Sequence, residues 1–404
     1  MSALLDLVAL FAVARVLGEL CERVRVPALI GEIAAGIVLG PLILRWIFAS
    51  DPIKLVADLG VFFVVYAAGM EMTFRGVRRT IKESGAAVAA GSFALPFLLG
   101  FLVGLGFGYD AQVSLFLGLA LSLTALPVSV RILADLGWVQ TDVGQTIITA
   151  GLLCDIAGLT VLAAITNWAA LTGGELIATG EVVAKIGAFF IAVFALERAF
   201  AARAGWLSTR LVAGSRRLLS RGAAFSMPLL LVFAFSLFAE LLGLHFIIGT
   251  FFGSVIVAEH VFPPHEGERL RSSIGSIADG FLAPIFFAYL GLVAVSLDPA
   301  LAPLFAVLLA AAVAGKVAGS YVGARFGGFQ SWSASVIAVG MNGRGAMELV
   351  IALVGLELGI IGANVFALLV VLGLITTLMT PFALRRLARL PQQAEQGQAE
   401  ADKV

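Results

Sequence analysis

What most constrains this chain is a succession of apolar runs, each bounded by charges, Gly or Pro and each about 20 residues long, the length that a hydrocarbon layer demands of a helix. Inside a bilayer every backbone N–H and C=O must be satisfied within the protein, so runs of this kind fold as spanning helices. About thirteen can be placed, near 2–20, 27–46, 55–73, 86–107, 112–134, 143–165, 182–202, 225–243, 245–260, 276–297, 300–323, 331–356 and 362–386. The composition of the 404 residues agrees, at 60% hydrophobic and 13% charged with a mean hydropathy of +1.05. These values exclude a soluble globular domain and predict an all-α polytopic membrane protein.

The balance of 26 basic and 26 acidic residues gives no reason to expect a nucleic-acid partner. The placement of positive charge is more informative. With the N-terminus outside, the even-numbered gaps hold little beyond Arg45, Lys54 and Lys185, while Arg78, Arg79, Lys82, Arg216, Arg217, Arg385 and Arg386 collect on the other side. The positive-inside rule thus predicts a cytoplasmic C-terminus in a cell (inner) membrane. The opening apolar run lacks a small-residue cleavage site and is expected to be a retained first span. A linker helix is expected over 182–221, its arginines setting topology and facing lipid headgroups. The polar tail, 391–404, is expected to be disordered and cytoplasmic.

Asp155 stands out. It sits in the run Thr149-Ala-Gly-Leu-Leu-Cys-Asp-Ile-Ala-Gly158, with uncharged residues on both sides, near the middle of a span. A mid-membrane aspartate costs about 3 kcal/mol on insertion scales, so chains that keep one use it to hold a cation or a proton, or pair it with a base.

The two halves of the chain echo each other. Leu29-Ile-Gly-Glu-Ile-Ala-Ala-Gly resembles Ile247-Ile-Gly-Thr-Phe-Phe-Gly, and Phe62-Phe-Val-Val-Tyr resembles Phe286-Phe-Ala-Tyr. The offset is about 220 residues, and an odd number of crossings separates the copies, so the repeats are inverted, as in many secondary transporters. The same offset links two helix breakers, Thr124-Ala-Leu-Pro127 and Gly340-Met-Asn-Gly-Arg-Gly345. Pro127 removes a backbone donor and the glycines loosen the second helix, so the two are either simple kinks or unwound segments whose carbonyls and half-helix ends serve an ion.

Other polar residues lie within the runs. Lys316 either snorkels to the interface or pairs with Asp155, each charge then offsetting the other's desolvation. Glu348 can line the same cavity or pair with Arg344. Arg131 is read as anchoring the first broken helix near its cytoplasmic end. Glu32 and Glu71 lie near span ends, in capping or functional positions. His245, His260 and His265 lack metal-ligand spacing, and Cys21 and Cys154 read as buried thiols without a disulfide framework.

Thr124-Ala-Leu-Pro-Val-Ser-Val-Arg131, Thr141-Asp-Val-Gly144, the Asp155 helix and Gly340-Met-Asn-Gly-Arg-Gly-Ala-Met-Glu348 together resemble the monovalent cation:proton antiporter-2 family, with the plant and fungal cation/proton exchangers nearest at the broken helices and bacterial sodium/proton antiporters elsewhere. Pro27-Ala-Leu-Ile-Gly-Glu-Ile and Leu282-Ala-Pro-Ile-Phe-Phe287 extend the likeness over nearly the whole chain. The resemblance implies thirteen spans, two discontinuous crossing helices, a homodimer, a dimerisation part (1–73 and 225–297) and a mobile transport core (86–165 and 300–386), elevator-like, within a transmembrane domain of 1–390. It places the ion-binding acid on Asp155, the broken-helix threonine on Thr124 and the basic residue of the eleventh span on Lys316, with Asn342, Arg344, Glu348, Arg131 and Pro127 in support. Members carry Asp, Asn or Gln before the essential aspartate; here that position is Cys154.

The expected activity is exchange of a monovalent alkali cation, Na⁺ or K⁺, for H⁺, with no cofactor beyond the transported ions. The alternatives are a sodium-coupled organic-anion symporter on the same architecture and a potassium-efflux module. No nucleophile with a base and an orienting group is visible, which speaks against an enzyme.

Overall fold

The computed structural model describes residues 3–24, 26–71, 85–124, 129–130, 133, 136–139, 141–167, 180–181, 183–199, 223–261, 264–294 and 298–401. Pro127, Arg131 and most of the expected linker, from 200 on, lie outside them. The described chain is all helical. In order, the helices are α1 (Ala3–Arg23), α2 (Ala28–Leu39), α3 (Asp51–Met70), α4 (Gly85–Gly106), α5 (Ala111–Ser122) and α6 (Asp142–Thr166). A helical stretch at 183–199 is α7. Then come α8 (Ala223–Leu241), α9 (Phe246–Ile256), α10 (Pro264–Ile277), α11 (Ala283–Val293), α12 (Ala302–Phe326), α13 (Ser331–Gly340), α14 (Ala346–Glu357) and α15 (Ala363–Ala401).

Among the described residues, six helical segments are long and apolar enough to cross a membrane, and shorter apolar helices accompany them. Leu5, Leu102, Ile191, Leu230 and Phe382 are all more than half exposed. Such a surface suits lipid, and the chain is a multi-pass membrane protein.

The helices start where local chemistry lets them. Asp110 accepts from the backbone N–H of Val113 at 2.9 Å and caps α5. His245 accepts from Ile247 N–H at 3.5 Å at the head of α9. Asp298 accepts from Ala300 N–H at 2.9 Å and opens the 3₁₀ turn that leads into α12.

Three boundaries differ from the sequence reading. The span expected to begin at 276 is preceded by α10, whose Leu270 and Ile274 are buried while Arg269 and Arg271 are exposed. Its polar face hid an amphipathic helix from a hydropathy window. The run expected over 27–46 is helical only to Leu39. The last helix, expected over 362–386, runs through Ala401. Gln, Ala and Glu, frequent in that stretch, are good helix formers.

The chain forms two compact units, each assembled from segments distant in sequence. One comprises Met1–Leu17, Gly31–Val77 and Leu159–Val293; the other comprises Gly18–Ile30, Arg78–Gly158 and Ala294–Val404. In the first unit Phe62, Tyr66 and Met70 of α3 pack with Val232 and Ile274, and Phe62 stacks on Phe233 with ring centroids 4.3 Å apart. Two π-helical turns, Val257–Val261 and Ala278–Leu282, interrupt its helices.

In the second unit α4 lies against both α5 and α12. The contact with α12 is a seam of small residues: a Cβ on Gly91 would stand 2.1 Å from the carbonyl oxygen of Gly319, and one on Gly319 equally close to that of Gly91. Only glycine on both sides permits this approach, the membrane-helix counterpart of close small-residue packing.

Candidate ion site

The second unit holds every described residue that the sequence singled out as a site residue. Cys154 and Asp155 lie on α6 and are 0% and 3% exposed. One turn on, Gly158 lets α6 press against the end of α5, since a Cβ there would fall 2.4 Å from Leu123 Cδ2. That contact sets Asp155 beside the point where α5 stops.

The stop is abrupt. Leu123 takes φ −72° and ψ 159°, extended backbone, and ends the helix at Ser122. Thr124 follows, 3% exposed. The second interruption runs through Met341–Gly345, between α13 and α14. Ser129 ties the two together by donating to the Gly340 carbonyl at 2.8 Å.

A helix that ends inside a low-dielectric interior leaves carbonyls without partners and a negative dipole end. Here cationic side chains from other helices meet both needs. Arg344, in the second break, donates to the carbonyls of Ala120 at 2.8 Å and Leu121 at 2.7 Å. Lys316 on α12 donates to the carbonyl of Ser122. Three successive carbonyls at the end of α5 are thus each taken by a buried cation, and both cations are 0% exposed.

The partner charges are close by. Glu348 in the first turn of α14 sits at the positive end of that half-helix and pairs with Arg344 at 3.1 Å. Lys316 lies within electrostatic reach of Cys154, Asp155, Arg344 and Glu348 together. Burying charges at such density is tolerable only because each has a counter-charge or a helix end to face.

Several polar atoms in the unit are poised rather than satisfied. Among the described residues Thr124 Oγ1, Asn342 Oδ1 and Glu348 Oε2 are buried without a hydrogen-bond partner. A dry interior does not keep such groups idle at no cost, so each is a candidate ligand for an ion, a proton or water. The set combines a carboxylate, a hydroxyl and an amide oxygen, the hard ligands that alkali cations favour.

The hydropathy reading missed a group of hydroxyls. Ser92 lies 3.1 Å from Cys154 Sγ, and Ser122 donates to Gly118 O at 2.7 Å. On α15, Thr377 donates to the carbonyl of Arg344, with Thr376 and Thr380 buried beside it. The available signal was the cluster Thr376-Thr377-Leu-Met-Thr380 in an otherwise apolar run.

The other flagged residues lie elsewhere. Glu32 and Glu71 belong to the first unit. His260 is buried there, 3.8 Å from Glu197. His245 caps a helix, accepting from Ile247 N–H. Cys154 is buried as expected, but Cys21 is only partly so.

Two interrupted helices tied to each other, with a buried acid against the end of one, are the arrangement of an integral membrane secondary transporter. The sodium/hydrogen exchanger, transmembrane, family model matches residues 7–390, and the chain belongs to that family. It is 30% identical to the Na⁺/H⁺-K⁺ antiporter GerN of Bacillus cereus over 367 residues, 90% of each chain. It is 27% identical to the Na⁺/H⁺ antiporter of Enterococcus hirae, covering 94% of this chain and 97% of that one. Its fold is that of the sodium proton antiporter MjNhaP1 of Methanocaldococcus jannaschii, with TM-score 0.67 at 15% identity over 96% of this chain and 99% of that chain.

Proposed function

We propose that this chain exchanges a monovalent alkali cation, Na⁺ or K⁺, for H⁺ by alternating access, with Asp155 binding the cation and the proton in turn. The observation that carries this reading is a carboxylate 3% exposed on an apolar helix, set against the broken end of α5. Competition of two ligands for one acid is sufficient for obligatory exchange, because the site crosses loaded with one or the other. The relatives named Na⁺/H⁺ and Na⁺/H⁺-K⁺ antiporters favour these substrates.

In this scheme Thr124 and Cys154 line the site beside Asp155, and Lys316, Arg344, Glu348 and Asn342 hold the surrounding backbone ends. The second unit is the transport core, which shifts in an elevator-like manner; the first unit makes a homodimer in the inner membrane, with the N-terminus outside and the C-terminus cytoplasmic.

The test is a pH-gradient assay in proteoliposomes, scanning Na⁺, K⁺ and Li⁺. The wild-type protein dissipates the gradient on cation addition, and Asp155→Asn abolishes the response. Exchange that survives in Asp155→Asn removes this acid from the mechanism.

A further inference from the structure

Glu348 is held more loosely than a simple ion-pair partner would be. It is 1% exposed in the first turn of α14, and it meets Arg344 through one oxygen alone, Nη1 to Oε1 at 3.1 Å. A guanidinium and a carboxylate that serve only to neutralise each other favour two parallel bonds. Here Arg344 Nε and Glu348 Oε2 are both buried without a hydrogen-bond partner among the described residues. Arg344 spends its donors on the carbonyls of Ala120 and Leu121, so it stays held when Glu348 loses its charge.

Oε2 faces α15. A Cβ on Gly373 would stand 3.5 Å from it, and a glycine has no side chain to donate. Residues 363–384 of α15 include no ionisable side chain, and the buried threonines there donate to backbone carbonyls. α5, also packed against α14, has no ionisable side chain either. The charged groups that face the carboxylate are therefore Arg344 and, from α12, Lys316. Both repel a metal ion from Oε2. A hydrogen, bound covalently, is the ligand that suits this oxygen.

The balance of charge gives that hydrogen a consequence. Lys316 lies within electrostatic reach of Asp155, Arg344 and Glu348. These two bases and two acids sum to zero, so an alkali cation beside Asp155 leaves the core with one excess positive charge. With Glu348 neutral the same cation would leave two, in a buried region where like charges are poorly screened.

We propose that Glu348 sets the affinity of the core for its cation: ionised, it admits the alkali ion beside Asp155, and protonated, it expels that ion. This rests on the assignment of Asp155 as the exchange site. The proton comes from water on the side to which the core is open and forms an O–H bond on Oε2, with no electron transfer. Glu348 stays ionised through each turnover, so exchange remains one-for-one, and its protonation in acid takes the core out of the cycle.

The experiment measures the KM for Na⁺ in proteoliposomes, from acid to alkaline pH, for the wild-type protein, Glu348→Gln and Glu348→Asp. A single proton competing at Asp155 makes KM rise with the first power of proton concentration, and a second inhibitory proton makes it rise with a higher power. The expected result is the higher power in the wild-type protein and in Glu348→Asp, which keeps a titrating carboxylate. Glu348→Gln shows the first power, with a KM raised about tenfold or more at alkaline pH, as loss of one nearby buried charge implies.

A first-power rise in the wild-type protein overturns the proposal, a reading that needs no variant to fold. A higher power that persists in Glu348→Gln overturns it too, as does its loss in Glu348→Asp, which would make the residue structural. All three leave the antiporter reading intact. Na⁺-driven proton movement that is missing from the wild-type protein, or that survives in Asp155→Asn, overturns that reading instead.

Discussion

Arg344 donates to the carbonyl of Leu121 over 2.7 Å, so a residue of the second break closes the end of the helix that leads into the first. The two interruptions are therefore mechanically one object. Arg344 also bonds Ala120 and pairs with Glu348, and Thr377 of α15 holds its carbonyl.

Arg344→Met leaves two helix-end carbonyls without donors and the Glu348 carboxylate without its partner. Breaking a buried pair from one side costs about 3 kcal/mol, so a clear fall in thermal midpoint in detergent is expected. Adding Glu348→Gln removes the stranded charge and recovers part of that loss. A double mutant no more stable than Arg344→Met would show that the pair is not coupled as the geometry requires.

Lys316 spends its donor on the carbonyl of Ser122. In the proposed scheme Lys316 serves as a cap and Asp155 alone alternates between cation and proton. The expected exchange is one-for-one, and its rate in proteoliposomes should not respond to an imposed membrane voltage. A steep voltage dependence would assign Lys316, or another group, a titrating role.

Ser129→Ala removes the bond to Gly340 that spans the two breaks. The loss in stability should be about 1 kcal/mol, typical of a neutral hydrogen bond. If the link positions the site, the KM for the cation rises while the thermal midpoint barely moves; an unchanged KM would make the bond merely structural.

The glycine seam can be tested by filling it. Gly319→Val drives side-chain carbons into the Gly91 carbonyl, and overpacking of this kind costs about 2 kcal/mol. Gly267→Ala, in α10, meets nothing within 4 Å, and should be neutral or stabilising by up to ~1 kcal/mol, as expected for Gly→Ala in a helix. Thermal unfolding of the two variants side by side checks both.

Much of this organisation is legible in the amino-acid order, for identifiable reasons. Lipid imposes length and apolarity on helices, so runs such as 86–107 and 300–323 reappear as α4 and α12 with little adjustment. The second break is visible because Asn342, Gly343 and Gly345 interrupt an apolar pattern, and Asp155 because an acid inside such a run is costly.

What stays hidden is polarity that a helix can absorb. Thr376, Thr377 and Thr380 bond backbone carbonyls, two of them within their own helix, so they scarcely disturb the hydropathy of α15. Nor does spacing show that Arg344 would reach Ala120, more than two hundred residues away; only the packed unit brings them together.

The contact of Gly91 with Gly319 has a further implication. Two main chains that touch without intervening side chains have no rotamers through which to slip, so α4 and α12 travel as a single rod. Lys316 rides on that rod, three residues before Gly319, and its hold on Ser122 passes any displacement of the pair to the capped end of α5 just before Thr124.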